Sequence, residues 1–157
     1  MSPALPPGTH LYTTSIVTPL ERGDVVLLDD RHNDYAVKRI IGLPRETVQI
    51  WRGCVFINRT LLVEPYLPPH TYTFPLEWHR RGATYILGDD EYFVLGDNRM
   101  NSSDSRSYGA VTRKQIKRRV PPPDGFVYPY PGNYTLPAFG STVMRRLTAT
   151  NRAVSPF

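Results

Sequence analysis

The chain has 157 residues, 40% of them hydrophobic, with 16 prolines, one cysteine and a formal net charge of +5. That length holds one domain with one modest core, and the lone Cys54 rules out an internal disulfide framework and a cysteine-based metal site. No stretch reaches the ~18–20 consecutive apolar residues of a membrane helix, and the basic run Arg113, Lys114, Lys117, Arg118, Arg119 comes with no nucleic-acid motif.

Met1 to Thr18 is proline-rich, with a short strand expected at His10-Leu11-Tyr12. Arg22-Gly23-Asp24 reads as a turn into Val25-Val26-Leu27-Leu28, an apolar run of strand length. After a charged turn from Asp29 to Asp34, Tyr35 to Ile41 forms the next strand, stopped by Gly42-Leu43-Pro44. Thr47–Trp51, Cys54–Ile57 and Thr60–Val63 make a meander joined by tight turns at Arg52-Gly53 and Asn58-Arg59. An arginine in a left-handed position costs about 1 kcal/mol, which points to a rearranged second turn.

Pro65 to Arg81 is irregular, and Tyr85-Ile86-Leu87 with Tyr92-Phe93-Val94-Leu95 reads as a hairpin across Gly88-Asp89-Asp90. No sustained helical periodicity occurs. The reading is an all-β domain of short twisted antiparallel strands over residues 1–120, followed by a Pro/aromatic-rich, irregular and flexible tail over 121–157.

Turn-forming and charged groups are densest from Gly96 to Arg106. There Asp97, Asp104, Arg99 and Arg106 can pair bidentately, and Asn98, Asn101, Ser102, Ser103 and Ser105 can bond nearby backbone. Composition alone favours an ordinary surface turn. Lys38 is set among Ala36, Val37, Ile40 and Ile41. A lysine desolvated by such neighbours loses its proton more easily and can act as a general base. On periodicity alone, an edge-strand lysine turned to water is the stronger reading. His10, His32, His70 and His79 are scattered among loops and suggest no His-based triad. The carboxylates lack the spacing of a metal site.

Four boxes in order carry a resemblance. These are Arg22-Gly23-Asp24-Val25-Val26, Lys38-Arg39-Ile40-Ile41-Gly42-Leu43-Pro44, Val55-Phe56-Ile57-Asn58 with Glu64-Pro65-Tyr66-Leu67, and the Gly96–Arg106 loop. Together they resemble the type I signal peptidases (leader peptidases, family S26), which are membrane-anchored serine proteases using a Ser-Lys dyad. The chain departs from that family at Arg45-Glu46, where Gly-Asp is usual, and at Asn58-Arg59, where Asn-Gly is usual.

The resemblance implies that Lys38 is the catalytic base and that the Ser102 hydroxyl orients it. Asp104 and Arg106 are implied as an ion pair holding the loop, and the backbone of Tyr35, Ala36 and Val37 as the rail for an extended substrate. It implies signal peptides of secretory preproteins as substrates, a membrane lipid surface as a partner, no nucleic acid and no cofactor. The location implied is the outer face of the bacterial cytoplasmic membrane, or the equivalent organelle membrane.

Met1-Ser2-Pro3-Ala4-Leu5 matches the family's nucleophile box from its second residue onward, so the serine is expected immediately before Met1. Three explanations stand: a chain cut just after the serine, an inactive relative that binds peptides, or Ser2 acting one position out of register. A self-cleaving repressor-type Ser-Lys protease is the competing enzyme reading, and the Gly-Asp-Asn-Arg loop argues against it.

Overall fold

The computed structural model of the protein describes residues 10–30, 34–76 and 82–121. It contains β1 (Val25–Asp30), β2 (Asp34–Gly42), β3 (Thr47–Trp51), β4 (Cys54–Ile57), β5 (Thr60–Leu61), β6 (Gly82–Ile86), β7 (Glu91–Leu95), α1 (Ser105–Tyr108), β8 (Val111–Thr112) and β9 (Ile116–Val120). A single helical turn apart from a short 3-10 segment, the described chain is all-β, and every strand pairing is antiparallel. One sheet has the order β8-β7-β2-β1-β9 and the other β5-β4-β3-β6.

The apolar run of β1 reflects its place inside the larger sheet. Val26, Leu28, Ile40, Val94, Val111 and Ile116 form one buried cluster with Leu20. Ile41, Phe93 and Leu95 point the other way and meet Val48, Ile50, Val55 and Ile57 of the second sheet, with Leu62 and Leu87 just beyond its strands. Strands buried on both faces lose the apolar/polar alternation of a half-exposed sheet. Gly42 lets β2 cross towards β3, since a Cβ there would lie 2.5 Å from Val48 and 2.7 Å from Leu87 side-chain carbons.

Three expectations need correction. The hairpin across Gly88-Asp89-Asp90 does not form: β6 pairs with β3 in one sheet, β7 with β2 and β8 in the other. No strand forms at His10-Leu11-Tyr12; the residues after it are tied to β9 by an isolated bridge, Thr14 to Arg119, and by Arg118 and Arg119 side chains donating to the Ser15 and Thr18 hydroxyls and the Pro19 carbonyl. The Asn58-Arg59 turn is not rearranged, as both residues hold positive φ, 49° and 69°. Asn58 anchors it, its N–H donating to the Thr47 carbonyl and its Oδ1 accepting from the Thr47 N–H, both at 2.9 Å.

Arg45 likewise takes φ 68° where a glycine would be unstrained. Next to it, Glu46 forms a bidentate pair with Arg22 (2.6 and 2.8 Å) and accepts from the Leu43 N–H at 2.7 Å. The tail, apart from Pro121, and residues 1–9 lie outside the described residues. So do His32 and His79.

Candidate active site

β2 is the middle strand of the five-stranded sheet, paired with β1 along one side and with β7 on the other only from Arg39 onward. The Cα partner of Lys38 on β1 is Val26. Cross-strand partners share a face, and so do alternate residues along a strand. Lys38 therefore lies on the face of Val26, Ala36 and Ile40, the side of the Leu20–Ile116 cluster, where it is half-buried.

On the other side of β2 the register with β7 runs Ile40 to Val94 and Arg39 to Leu95. Continued one step beyond the pairs that form, that register leads to Lys38 and Gly96, the residue after β7. No described strand continues along that side of Tyr35, Ala36 and Val37.

Gly96 has no side chain because Ser102 fills the space. A Cβ on Gly96 would lie 2.2 Å from Ser102 Oγ and 2.7 Å from its Cβ. That direction is the face Lys38 occupies, so the register and the close approach together bring Ser102 beside the lysine position. The Ser102 hydroxyl is buried and has no hydrogen-bond partner of ordinary geometry among the described residues. It sits near the Asp104 carboxylate, whose ionised form it helps.

Asp104 is fully buried and organises the loop. Arg106 Nε and Nη2 each donate to it at 2.8 Å, and the Gly96 N–H donates at 3.1 Å. The same carboxylate accepts from the Arg106 N–H and caps α1, while the Ser107 hydroxyl closes the reciprocal capping box. Burial pushes the Asp104 carboxyl up, but the hydrogen bonds and charge of Arg106 outweigh it and hold it below its ordinary value. Arg106 also donates to the Arg99 carbonyl at 2.7 Å, and Ser105 Oγ accepts from the Val94 N–H at 2.9 Å. The turn after β7 is thus tied to the strand it leaves.

The second pair of the loop differs from the expected one. Asp97 pairs with Arg39, the neighbour of Lys38, at 2.9 and 2.7 Å, with both side chains fully buried. Arg39 donates further to the Gly23 carbonyl at 2.9 Å, and its guanidinium lies 4.0 Å over the Tyr66 ring.

Arg99 instead pairs with Glu64 at 3.0 and 2.5 Å and donates to the Thr73 hydroxyl. Glu64 also accepts from the Tyr66 hydroxyl at 2.6 Å. Burial, then the Glu64 charge, pushes the Tyr66 phenol well above its ordinary value. For Arg99 burial opposes the charge, but Glu64 prevails and raises its pKa.

Arg39 and Tyr66 were missed as supports. The only sequence signal was that both stand inside family boxes. His10 and His70 take no part in the loop's hydrogen bonds, and among the described residues no three His, Cys, Asp or Glu side chains converge on a metal position. The arrangement sets a half-buried lysine on β2, a buried Ser102 hydroxyl in the space beside Gly96, a loop braced by ion pairs, and a stretch of β2 with no described neighbouring strand on one side.

Comparison with known proteins gives one consistent result. The family model described as "Signal peptidase, peptidase S26" matches residues 1–121. A signal peptidase I of Bacillus amyloliquefaciens is 37% identical over 123 residues, covering 74% of this chain and 66% of that protein. Signal peptidase I T of Bacillus subtilis (strain 168) is 36% identical over 129 residues, covering 74% and 64%. The chain spans about two thirds of the length of these relatives. The crystal structure of a signal peptidase I from Enterococcus faecalis V583 superimposes with a TM-score of 0.55 at 28% identity, covering 67% of this chain and 99% of that one.

Proposed function

The chain belongs to the S26 signal peptidase family, and we propose that it carries the lysine half of a Ser-Lys serine endopeptidase that removes signal peptides from exported proteins. What supports this reading is the β2–β7 register, which runs Ile40 to Val94 and Arg39 to Leu95 and so leads from Lys38 towards Gly96, where Ser102 packs into the space of a missing side chain.

The substrate lies extended along the open edge of Tyr35, Ala36 and Val37 and bonds to it as an added strand. The attacking hydroxyl is that of a serine, supplied in the test below by a Ser placed ahead of Met1. Neutral Lys38 accepts the hydroxyl proton as the oxygen bonds to the scissile carbonyl carbon. The carbon–nitrogen bond then breaks, and Lys38 returns the proton to the leaving amine. Water attacks the resulting ester, again giving its proton to Lys38, and the serine leaves with that proton.

Ser102 orients the amine without placing a charge beside it. Asp104 and Arg106 keep the loop against β2. The family likeness favours work at a membrane surface on secretory preproteins. Among the described residues no helix is long and apolar enough to cross a membrane.

The test is to place Ser immediately before Met1 and incubate that chain with a preprotein. Mass spectrometry of the product should show one cut after a small-x-small sequence. No cut, or cuts scattered along the preprotein, overturns the reading.

A further inference from the structure

Beside Ser102 the surface opens into a cleft of about 170 Å³ lined by Phe74, Pro75, Leu76 and Met100, together with Arg99 and Arg106. A second cleft of about 530 Å³ shares Phe74, Arg99 and Met100 and continues over Tyr72. Leu76 and Met100 are 64% and 79% exposed, and Tyr72 and Phe74 about 40%. Four large apolar side chains grouped this way next to a candidate active site form a patch that invites a ligand.

The backbone beneath is braced. The Thr73 N–H donates to the Gly53 carbonyl at 2.9 Å, the Thr73 hydroxyl accepts from Arg99, and Arg106 Nη1 donates to the Phe74 carbonyl at 3.3 Å. The walls are therefore preformed while their apolar side chains stay open.

The sheet register decides what can reach this groove. A peptide strand laid along Tyr35 to Val37 arrives at Lys38, and from Arg39 onward that side of β2 is already taken by β7. A substrate cannot continue along the sheet past that point. It must pass over the loop from Gly96 to Arg106, where Ser102 belongs both to the candidate catalytic group and to the wall of the first cleft.

We propose that the groove is a specificity site for the residues that follow the scissile bond. One medium-sized apolar side chain sits between Phe74, Leu76 and Met100, and the next residues run over Tyr72. Arg99 and Arg106 are already paired with Glu64 and Asp104, so an acidic side chain gains little there. This inference rests on the peptidase reading and adds to it a contact with the released, mature side of the substrate.

The experiment compares two fluorescent peptides binding to the 157-residue chain by anisotropy. One ends at the small-x-small cleavage position. The other continues for about four residues beginning with leucine, its scissile amide replaced by a reduced –CH2–NH– link. The readout is the ratio of the two affinities, which removes any general loss of folded protein. The longer peptide should bind about tenfold more tightly, as burial of one apolar side chain allows. Leu76→Ser and Met100→Ser should each cut that ratio to about twofold or less, and Met100→Leu should keep it.

If the short peptide binds but the extension adds nothing, or adds as much in both serine variants, the groove proposal falls and the peptidase reading stands. If neither peptide binds, both fall.

Discussion

Asp97→Asn removes the charge that faces Arg39 without changing the size of the side chain. The guanidinium keeps its Gly23 carbonyl and the Tyr66 ring, but its charge then sits fully buried without its carboxylate. Stranding one member of a buried ion pair costs about 3–5 kcal/mol, a large part of the ~5–15 kcal/mol that stabilises a domain. With a urea slope of about 1–3 kcal/mol per molar, the unfolding midpoint should fall by roughly 2 M.

Arg39→Met strands Asp97 in the same way and should cost a similar amount. The double variant Arg39→Met/Asp97→Asn leaves neither charge of the pair, so it should be less destabilised than the two single losses added together, by about 2–3 kcal/mol. Urea unfolding of all four proteins, followed by tryptophan fluorescence, measures the cycle. Additive losses, or an Asp97→Asn cost below about 1 kcal/mol, would refute the claim that this pair clamps the loop to the lysine strand.

Gly96→Ala puts a methyl within 2.2 Å of Ser102 Oγ, so Ser102 must move. In the chain with Ser before Met1, cleavage should fall by about 10²-fold, a larger effect than the change in unfolding midpoint; retained cleavage would show that Ser102's place is unimportant. Arg59→Gly relieves a positive φ of 69° at an exposed turn and should stabilise by about 0.5–1 kcal/mol in the same urea assay. Asp104 has a folded pKa below its ordinary 3.8, so it contributes its stability in full above that value and loses it as pH falls through the lowered folded value. Asp104→Asn should therefore lower stability at neutral pH and flatten its fall below about pH 4, measured by thermal melts across pH.

The strand carrying Lys38 and the loop from Gly96 to Arg106 were legible because their signals are local. β-branched residues bounded by Gly42-Leu43-Pro44 mark a strand, and Asp104 and Arg106 are two residues apart, close enough to pair whatever the fold. The partners of Asp97 and Arg99 were not legible. Arg39 lies 58 residues from Asp97, and Glu64 lies 35 from Arg99. Charge alone does not choose among several arginines; only the β2–β7 register brings Arg39 under the loop.

The β6–β7 hairpin failed for a related reason. Gly88-Asp89-Asp90 has hairpin composition, but the hydrogen bond from the Leu87 N–H to the Glu46 carbonyl and the β3 pairing hold the preceding strand in the other sheet. At Asn58-Arg59 the positive φ angles are strained, and the turn holds because the side chain of Asn58 ties it to Thr47.

The most direct measurement is the rate of preprotein cleavage by the chain with Ser before Met1, with and without Lys38→Ala. If Lys38 is the base, the substitution should lower the rate by about 10³-fold or more while urea unfolding changes little. A Lys38→Ala protein that is folded and cleaves within about tenfold of its parent contradicts that role, because a base in direct contact with the reacting proton contributes at least ~10²-fold.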